Sequence, residues 1–527
     1  MKTSSTIDSL EMKRLAMQAE LDRGKTQRER NRLGQFATPT ALAEEILSFG
    51  RMLMNGQDRV RFIDPAIGTG SFYSAFLKVF PPDQIEAARG YEIDPHYGAA
   101  AALLWSDSGL KLTLSDFTAA RTGERFNLLI CNPPYVRHHH LSEGEKTSLQ
   151  SRTLQACGVK IGGLAGLYCH FIGLAHAWLE DGAISGWLIP SEFMDVNYGQ
   201  AVKRYLLEKV TLLHIHRFDP KDVQFADALV SSAVVWFRNA KPPKGHTVRF
   251  TFGGSLANPR LSKTVSAAAL ANERKWTRFP ESGVRESDAT PILAEFFKIK
   301  RGLATGQNSY FILSEEEIEE RQLPKQCFRP ILPSPRYVPS DEIEADTEGN
   351  PVLERALFLL DTSYDEGVIR ERFRTLWEYI QEGRAQALHE RYLCRHRVPW
   401  YKQENRPPAP IVCTYLGRGD SKSGRPFRFV LNHSKATVAN VWLAMYPTPI
   451  LSWAIAKNPK LIRRVWQALN SITTGDLLGE GRVYGGGLHK LEPKELGNVP
   501  ALEIAELLPR QDRPAGQIEL FGSLEIA

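Results

Sequence analysis

Asn132-Pro133-Pro134-Tyr135 is the segment of this 527-residue chain whose chemistry is easiest to read. It follows the apolar run Phe126–Cys131, which has the length and residue types of a buried strand. The two prolines fix the backbone and remove two donors, which leaves carbonyls free to point outward. Asn132 offers an amide oxygen as acceptor, and Tyr135 offers a flat ring. An amino group on an aromatic base is a poor nucleophile because its lone pair is delocalised into the ring. Two acceptors on its two hydrogens, the Asn132 side-chain oxygen and the Pro133 carbonyl, would draw that nitrogen toward tetrahedral geometry. Its lone pair could then face an electrophilic methyl. Stacking on Tyr135 would hold the base, and orientation of this kind lowers a barrier by several kcal/mol. Acceptors already in place also stabilise the positive charge that develops on nitrogen. A proline-rich turn closing a strand would look the same in isolation, so the residues upstream decide between the two.

Upstream, Asp64-Pro65-Ala66-Ile67-Gly68-Thr69-Gly70 lies between a strand pattern and a helix pattern. Its glycines let backbone approach a ligand at the carboxyl edge of a sheet. A dinucleotide fingerprint would place a third glycine at 73, which is Tyr73, so a nicotinamide cofactor fits poorly. Glu92, followed by Ile93, ends the next strand pattern, where an acid can accept from both hydroxyls of a ribose. Asp116-Phe117 ends the third. Its carboxylate can accept from an adenine amino group, and its ring can pack on the purine face. Each acid alone would be a turn residue; three at successive strand ends make a nucleoside site.

Phe36–Pro39, Asp64–Gly70, Glu92, Asp116-Phe117 and Asn132–Tyr135 run in the order seen in the gamma class of DNA adenine-N6 methyltransferases. Over residues 30–240 the chain resembles an Eco57I-like modification enzyme of a restriction–modification system. Arg301–Gly306 and Tyr484–Pro493 are similar to segments of that family's target-recognition domains. The resemblance implies S-adenosyl-L-methionine as methyl donor. Thr38 and the loop residues Asp64, Pro65, Ala66, Gly68 and Gly70 would hold its methionine part, Glu92 its ribose, and Asp116 and Phe117 its adenine, with Ile93 a further cofactor contact. Asn132, Pro133, Pro134 and Tyr135 would hold the target base, and Phe225 would cover the base's other face, unless that ring is simply core. The implied partners are double-stranded DNA and a companion restriction endonuclease, with the enzyme acting as a monomer.

These residues need a frame to place them. Between residues 59 and 240, seven strand-like runs alternate with helical patterns. They are Val60–Ile63, Ala88–Ile93, Leu110–Leu114, Phe126–Cys131, Ala183–Ile189, Val210–Arg217 and Val230–Arg238. The alternation predicts an α/β fold with a doubly wound, mostly parallel seven-stranded sheet. The last two runs have no helix between them and are expected to pair antiparallel. Leu164–Glu180 is predicted helical, with a stop at Asp181-Gly182. Thr38 suits an N-cap and Pro39 the first helical position after it. Lys241-Pro242-Pro243-Lys244-Gly245 marks a boundary. The expected division is a helical extension over 1–33, a catalytic domain over 34–240, and an α+β target-recognition domain over 246–527. Helices are expected near 365–393 and 450–470.

Composition narrows the setting. The chain is 43% hydrophobic and 24% charged, as ordinary globular proteins are. Six scattered cysteines, without a C-x-x-C pair, oppose a disulfide framework or a structural zinc cluster. The lack of a long apolar run and the polar N-terminal segment predict a cytoplasmic protein without a membrane span. Net charge is only +6, yet residues 391–430 hold nine Lys or Arg against two acids. That excess suits a polyanion. Arg395, Arg397, Lys402, Arg406, Arg418, Lys422, Arg425 and Arg428 are the expected DNA contacts. Tyr392, Trp400, Tyr401, Tyr415, Phe427 and Phe429 are interleaved with them, and most of these aromatics are expected in the core.

Other features carry less. His138-His139-His140 cannot present three imidazoles to one ion from a regular element, and no metal is expected. His214 and His216 share a strand face and read as structural. With about 33 residues before Gly34, a fused nuclease is not expected. The rivals are a protein-glutamine methyltransferase, an RNA methyltransferase, and a non-catalytic DNA-binding specificity protein. The segment Phe36–Pro39 and the large C-terminal half favour DNA over the first. The intact Asn132 and glycine loop oppose the last.

Overall fold

The structure is a computed structural model describing residues 4–56, 59–121, 123–219, 231–280, 290–418, 425–484 and 488–508. The chain divides into two compact units, Met1–Glu286 with Tyr484–Gly487, and Ser287–Val483 with Leu488–Ala527.

The first unit opens with two helices, α1 (Ser4–Arg23) and α2 (Gln27–Leu33). It is built on strands β1 (Val60–Asp64), β2 (Ile85–Glu92), β3 (Leu110–Leu114), β4 (Phe126–Cys131), β5 (Leu179–Pro190), β6 (Thr211–Arg217), β7 (Ser232–Arg238), β8 (Thr247–Gly254) and β9 (Pro259–Ser266). They form one sheet in the order β3-β2-β1-β4-β5-β7-β6-β8-β9. Strands β1 to β5 pair parallel. Strand β7 runs antiparallel between β5 and β6, as the missing helix between the last two runs predicts. The sheet does not stop at seven strands. Strand β8 adds parallel to β6, and β9 pairs antiparallel with β8. The proline-rich segment after 240 is therefore a connection within the sheet, and the boundary between units falls near 286 rather than at 240. Residues 1–33 likewise belong to this unit, with α1 packed on the helices Ser71–Val79 and Pro95–Leu104.

Alternation along β1 and β4 explains the two layers of helices. Phe62, Leu128 and Ile130 join one core with α3 (Thr40–Met54), α4 (Ser71–Val79) and α5 (Pro95–Leu104). Ile63, Leu129 and Cys131 join the other with α6 (Glu143–Cys157), α7 (Leu167–Ala175) and α8 (Gln200–Glu208). Each large apolar side chain buried in these layers contributes roughly 1.5–3 kcal/mol, which fixes the strand register and with it the strand tips. Two local expectations shift. Helix α7 ends at Ala175, and β5 already begins at Leu179, because Leu179 pairs with Phe126. Helix α3 takes Pro39 as its N-cap, one residue later than Thr38.

In the second unit a five-stranded sheet orders Phe297–Arg301, Trp442–Pro447, Ile411–Thr414, Phe429–Asn432 and Glu342–Ile343. A four-stranded sheet orders Ile312–Ser314, Leu357–Leu360, Phe328–Leu332 and Thr437–Val438. Helices Glu366–Arg372 and Arg374–Ala385, and Pro449–Lys457 and Leu461–Ser471, fall where helical spacing predicts them. Among the described residues no helix is long and apolar enough to cross a membrane.

Candidate functional site

Because β1 to β4 are parallel neighbours, Asp64, Glu92, Asp116 and Asn132 all emerge at one edge of the sheet. The loop after β1 is held by several hydrogen bonds. The Asp64 carboxylate accepts the Ala66 N–H at 3.1 Å. The Ile67 N–H donates to the Tyr91 carbonyl, and the Gly70 N–H donates to the Ile67 carbonyl, both at 2.9 Å. Trp105 Nε1 donates to the Thr69 carbonyl at 2.9 Å. Gly70 sits at φ +93°, and a Cβ there would lie 2.5 Å from that indole nitrogen, so no side chain fits. Tyr73 is buried and donates to the Ser108 carbonyl, filling the place of the missing third glycine.

Glu92 is half-buried and bridges two strand tips. One oxygen accepts the Gly68 N–H at 3.0 Å, and the other accepts the Asp94 N–H at 2.7 Å. Burial raises its pKa above the ordinary carboxylate value, opposed by those two N–H groups. Burial also pushes Asp64 up to about 7, opposed by the Ala66 N–H. Each Glu92 oxygen keeps acceptor capacity for a hydroxyl. Beside it Ile93 is 66% exposed, an apolar face at the tip of a buried strand. An acid for a vicinal diol next to an open apolar surface fits a nucleoside. Asp116 accepts from the backbone N–H and the hydroxyl of Thr118. Phe117 departs from expectation. Its ring is only 3% exposed and packs against Tyr91, Phe171 and Trp178, so it supports the sheet edge rather than lying open to a purine.

The tetrapeptide after β4 lies beside this loop. The Asn132 side-chain Nδ2 donates to the Phe36 carbonyl at 3.0 Å and to the Thr38 hydroxyl at 3.2 Å. With both amide hydrogens engaged, Oδ1 is the atom left to accept. Thr38 is 5% exposed, so its hydroxyl serves Asn132. Tyr135 is anchored by its hydroxyl, which donates to the Leu188 carbonyl at 3.1 Å, and its ring lies 5.9 Å from that of Phe36. Burial raises the Tyr135 phenol far above its usual range, so it offers a neutral face. Gly34, at φ +65°, runs against the same segment, where a Cβ would lie 2.3 Å from the Tyr135 nitrogen. Phe225 lies outside the described residues.

The family profile described as Eco57I restriction-modification methylase matches residues 100–224. The profile for the C-terminal domain of the Type II methyltransferase M.Eco57I matches residues 278–517. The Type II methyltransferase M.XamI of Xanthomonas campestris pv. amaranthicola is 28% identical over 90% of this chain and 86% of its own length. M.AccI of Acinetobacter calcoaceticus is 25% identical over 92% of this chain and 87% of its own length. This chain belongs to the Eco57I-like Type II methyltransferases.

As in the sequence, this methyltransferase carries its basic stretch within the second matched segment, but much of that charge is used internally. Arg397 donates to the carbonyls of Ala304 and Thr305 and to Gln403. Arg428 pairs with Asp341 and donates to the Val338 carbonyl. Arg406 pairs with Glu404 at 3.0 Å, and Arg425 donates to the Asn470 carbonyl. Arg395 and Lys402 are exposed. Lys422 and the Arg418 side chain lie outside the described residues. Of the interleaved aromatics, Trp400, Tyr401, Tyr415, Phe427 and Phe429 are buried, and Tyr392 is exposed. His214 and His216 both meet the Thr251 hydroxyl, as a structural pair would. Among the described residues, Glu342, Glu344 and His433 come close enough together to hold an ion, and Glu342 is already paired with Arg463.

Tyr415 is a residue whose place the sequence does not reveal. The Arg301 guanidinium lies 4.2 Å and the Lys490 ammonium 5.1 Å from its ring centre, and its hydroxyl donates to Glu492 at 2.8 Å. The two C-terminal segments that resemble the family therefore converge on one buried ring.

Proposed function

We propose that this chain is a site-specific DNA methyltransferase that moves a methyl group from S-adenosylmethionine to the N6 amino group of an adenine turned out of the duplex. The carrying observation is the Asn132 amide, whose nitrogen is tied back to Phe36 and Thr38 so that its oxygen is the remaining acceptor at the tip of β4. When bound, the donor supplies an electrophilic methyl on a positively charged sulfur. The loop Asp64–Gly70 holds its methionine part, Glu92 its ribose hydroxyls, Ile93 a purine face, and Asp116 the adenine amino group. Asn132 Oδ1 and the Pro133 carbonyl accept the two hydrogens of the target amino group and direct its lone pair. In the transfer the N–C bond would form as the donor's sulfur–methyl bond breaks, the electron pair staying on sulfur to leave the neutral thioether S-adenosylhomocysteine, and one amino proton would pass to solvent. Tyr135 presses one face of the base, and Phe225, on the resemblance, the other. Turning the base out costs a few kcal/mol, which such stacking offsets.

Names of the relatives support a Type II modification role. The protein then acts as a cytoplasmic monomer that protects DNA from a companion endonuclease. Arg395 and Lys402 are proposed to meet phosphate. The test is incubation with labelled methyl donor and plasmid DNA, followed by base-resolution mapping. Modified adenines within one short word are expected. Modified cytosines, labelled protein or RNA, or unlabelled DNA would overturn the reading.

A further inference from the structure

The N-terminal helix contains a charged pair in an unexpected place. Glu11 and Arg14 stand one helical turn apart on α1 and are only 4% and 1% exposed. The pair is two-pronged, with Arg14 Nε donating to Glu11 Oε2 at 2.8 Å and Nη2 to Oε1 at 2.7 Å. Taking two charges out of water is costly, and two apolar residues would pack there at least as well for stability. What the fork adds is direction. Its Nη1 donates to the Thr69 hydroxyl and its Nη2 to the Thr40 hydroxyl, each at 3.3 Å. Thr40 in turn donates to Glu11, and Thr69 to Gln18 of the same helix.

These two threonines belong to the two halves of the candidate site. Thr69 lies in the glycine loop, between Gly68 and Gly70. Thr40 stands two residues past Thr38, which holds the Asn132 amide. A second tie repeats the pattern. Lys25 and Gln35 both donate to the Asp94 carboxylate, whose backbone N–H donates to Glu92. Gln35 directly precedes Phe36, whose carbonyl takes the other Asn132 amide hydrogen.

We infer that Arg14, held by Glu11, is a positioning residue that couples the cofactor loop to the segment that aims Asn132. The inference rests on the proposed methyl-transfer site. Its consequence is thermodynamic: a ligand that orders residues 66–70 also orders residues 36–40, and the reverse.

Thr40→Val and Thr69→Val test this in the full-length protein, because both keep side-chain volume and leave the Glu11–Arg14 pair in place. Thr40 lies outside the glycine loop, yet Thr40→Val is expected to weaken S-adenosylhomocysteine binding by about three- to ten-fold and to speed amide hydrogen exchange at 66–70 in ligand-free protein. Thr69→Val is expected to speed exchange at 36–40. The double variant is expected to be no worse than the poorer single one, since both act through one guanidinium. Arg14→Lys, which keeps the charge but loses the fork, is expected to match the double variant. Fully additive effects, or unchanged exchange at 66–70 in Thr40→Val, would overturn the coupling while leaving the methyl-transfer reading intact. Failure of the unmodified protein to bind S-adenosylhomocysteine would sink that reading instead, and the ligand-free exchange data would still decide the coupling.

Discussion

The Thr38 hydroxyl accepts a hydrogen bond from the Asn132 amide nitrogen across 94 residues of sequence. A threonine that the family resemblance assigns to the methyl donor thus also orients the amide proposed to hold the target base. Thr38→Val removes one of the two anchors. A neutral hydrogen bond is worth about 1 kcal/mol, so single-turnover methyl transfer is expected to slow roughly five-fold, with donor affinity changed less. Thr38→Ser restores the acceptor and the rate. Asn132→Ala is expected to keep donor binding and lose transfer. Unaffected turnover in both Thr38→Val and Asn132→Ala would refute the role of this amide.

Gly34 is irreplaceable for two independent reasons. Its φ of +65° disfavours any side chain, and a Cβ would press on the Tyr135 nitrogen at 2.3 Å. Gly34→Ala must therefore push the tetrapeptide away from the segment before α3. A loss of stability of about 1–3 kcal/mol is expected, together with reduced transfer at saturating donor. Tyr135→Phe removes the hydroxyl and its bond to the Leu188 carbonyl but keeps the ring, so it is expected to retain most activity. Tyr135→Ala is not. Denaturant midpoints and transfer rates for the three variants check this, and equal losses in Tyr135→Phe and Tyr135→Ala would remove the stacking role.

The strand-end acids and the tetrapeptide were legible because each depends on a few consecutive residues and a strand just before them. The frame was less so where partners are distant. Strand β9 is largely exposed along its length and has no apolar alternation, so the proline-rich segment before β8 looked like a boundary. Helix α1 buries Glu11 and Arg14, and a helix with a polar buried face gives no amphipathic signal. Phe117 reads as a free aromatic at a strand end, and only the neighbouring rings on β2 and α7 make it core. Counting charges over 391–430 cannot show that Arg397 reaches carbonyls some 90 residues away.

Asp64 gives a pH test. Burial lifts its pKa from the ordinary 3.8 to about 7. An acid raised in the folded state holds its proton there while the unfolded chain has already released it. Stability is therefore lost as pH rises from about 3.8 toward 7, and the full penalty persists above that. The slope for one proton is at most about 1.4 kcal/mol per pH unit. Asp64→Asn carries no such titration. Its melting temperature relative to the unmodified protein is expected to climb between pH 5 and pH 8, and a constant difference would show that Asp64 ionises normally.

The basic stretch divides into residues held by the fold and residues open to a polyanion, and salt dependence separates them. Each phosphate neutralised contributes about 0.9 to the slope of log affinity against log salt. Arg395 and Lys402 are exposed, so Arg395→Gln and Lys402→Gln are each expected to flatten that slope by close to one phosphate while leaving the melting temperature nearly unchanged. Arg428 is tied to Asp341 and to the Val338 and Ser340 carbonyls, and Arg397 bridges the Ala304 and Thr305 carbonyls. Replacing either by Gln leaves those acceptors unpaired, so it is expected to lower stability by about 1–3 kcal/mol with the salt slope intact. If Arg428→Gln instead flattens the slope at full stability, its guanidinium leaves Asp341 for phosphate when DNA binds, and Arg428 belongs with the residues open to a polyanion.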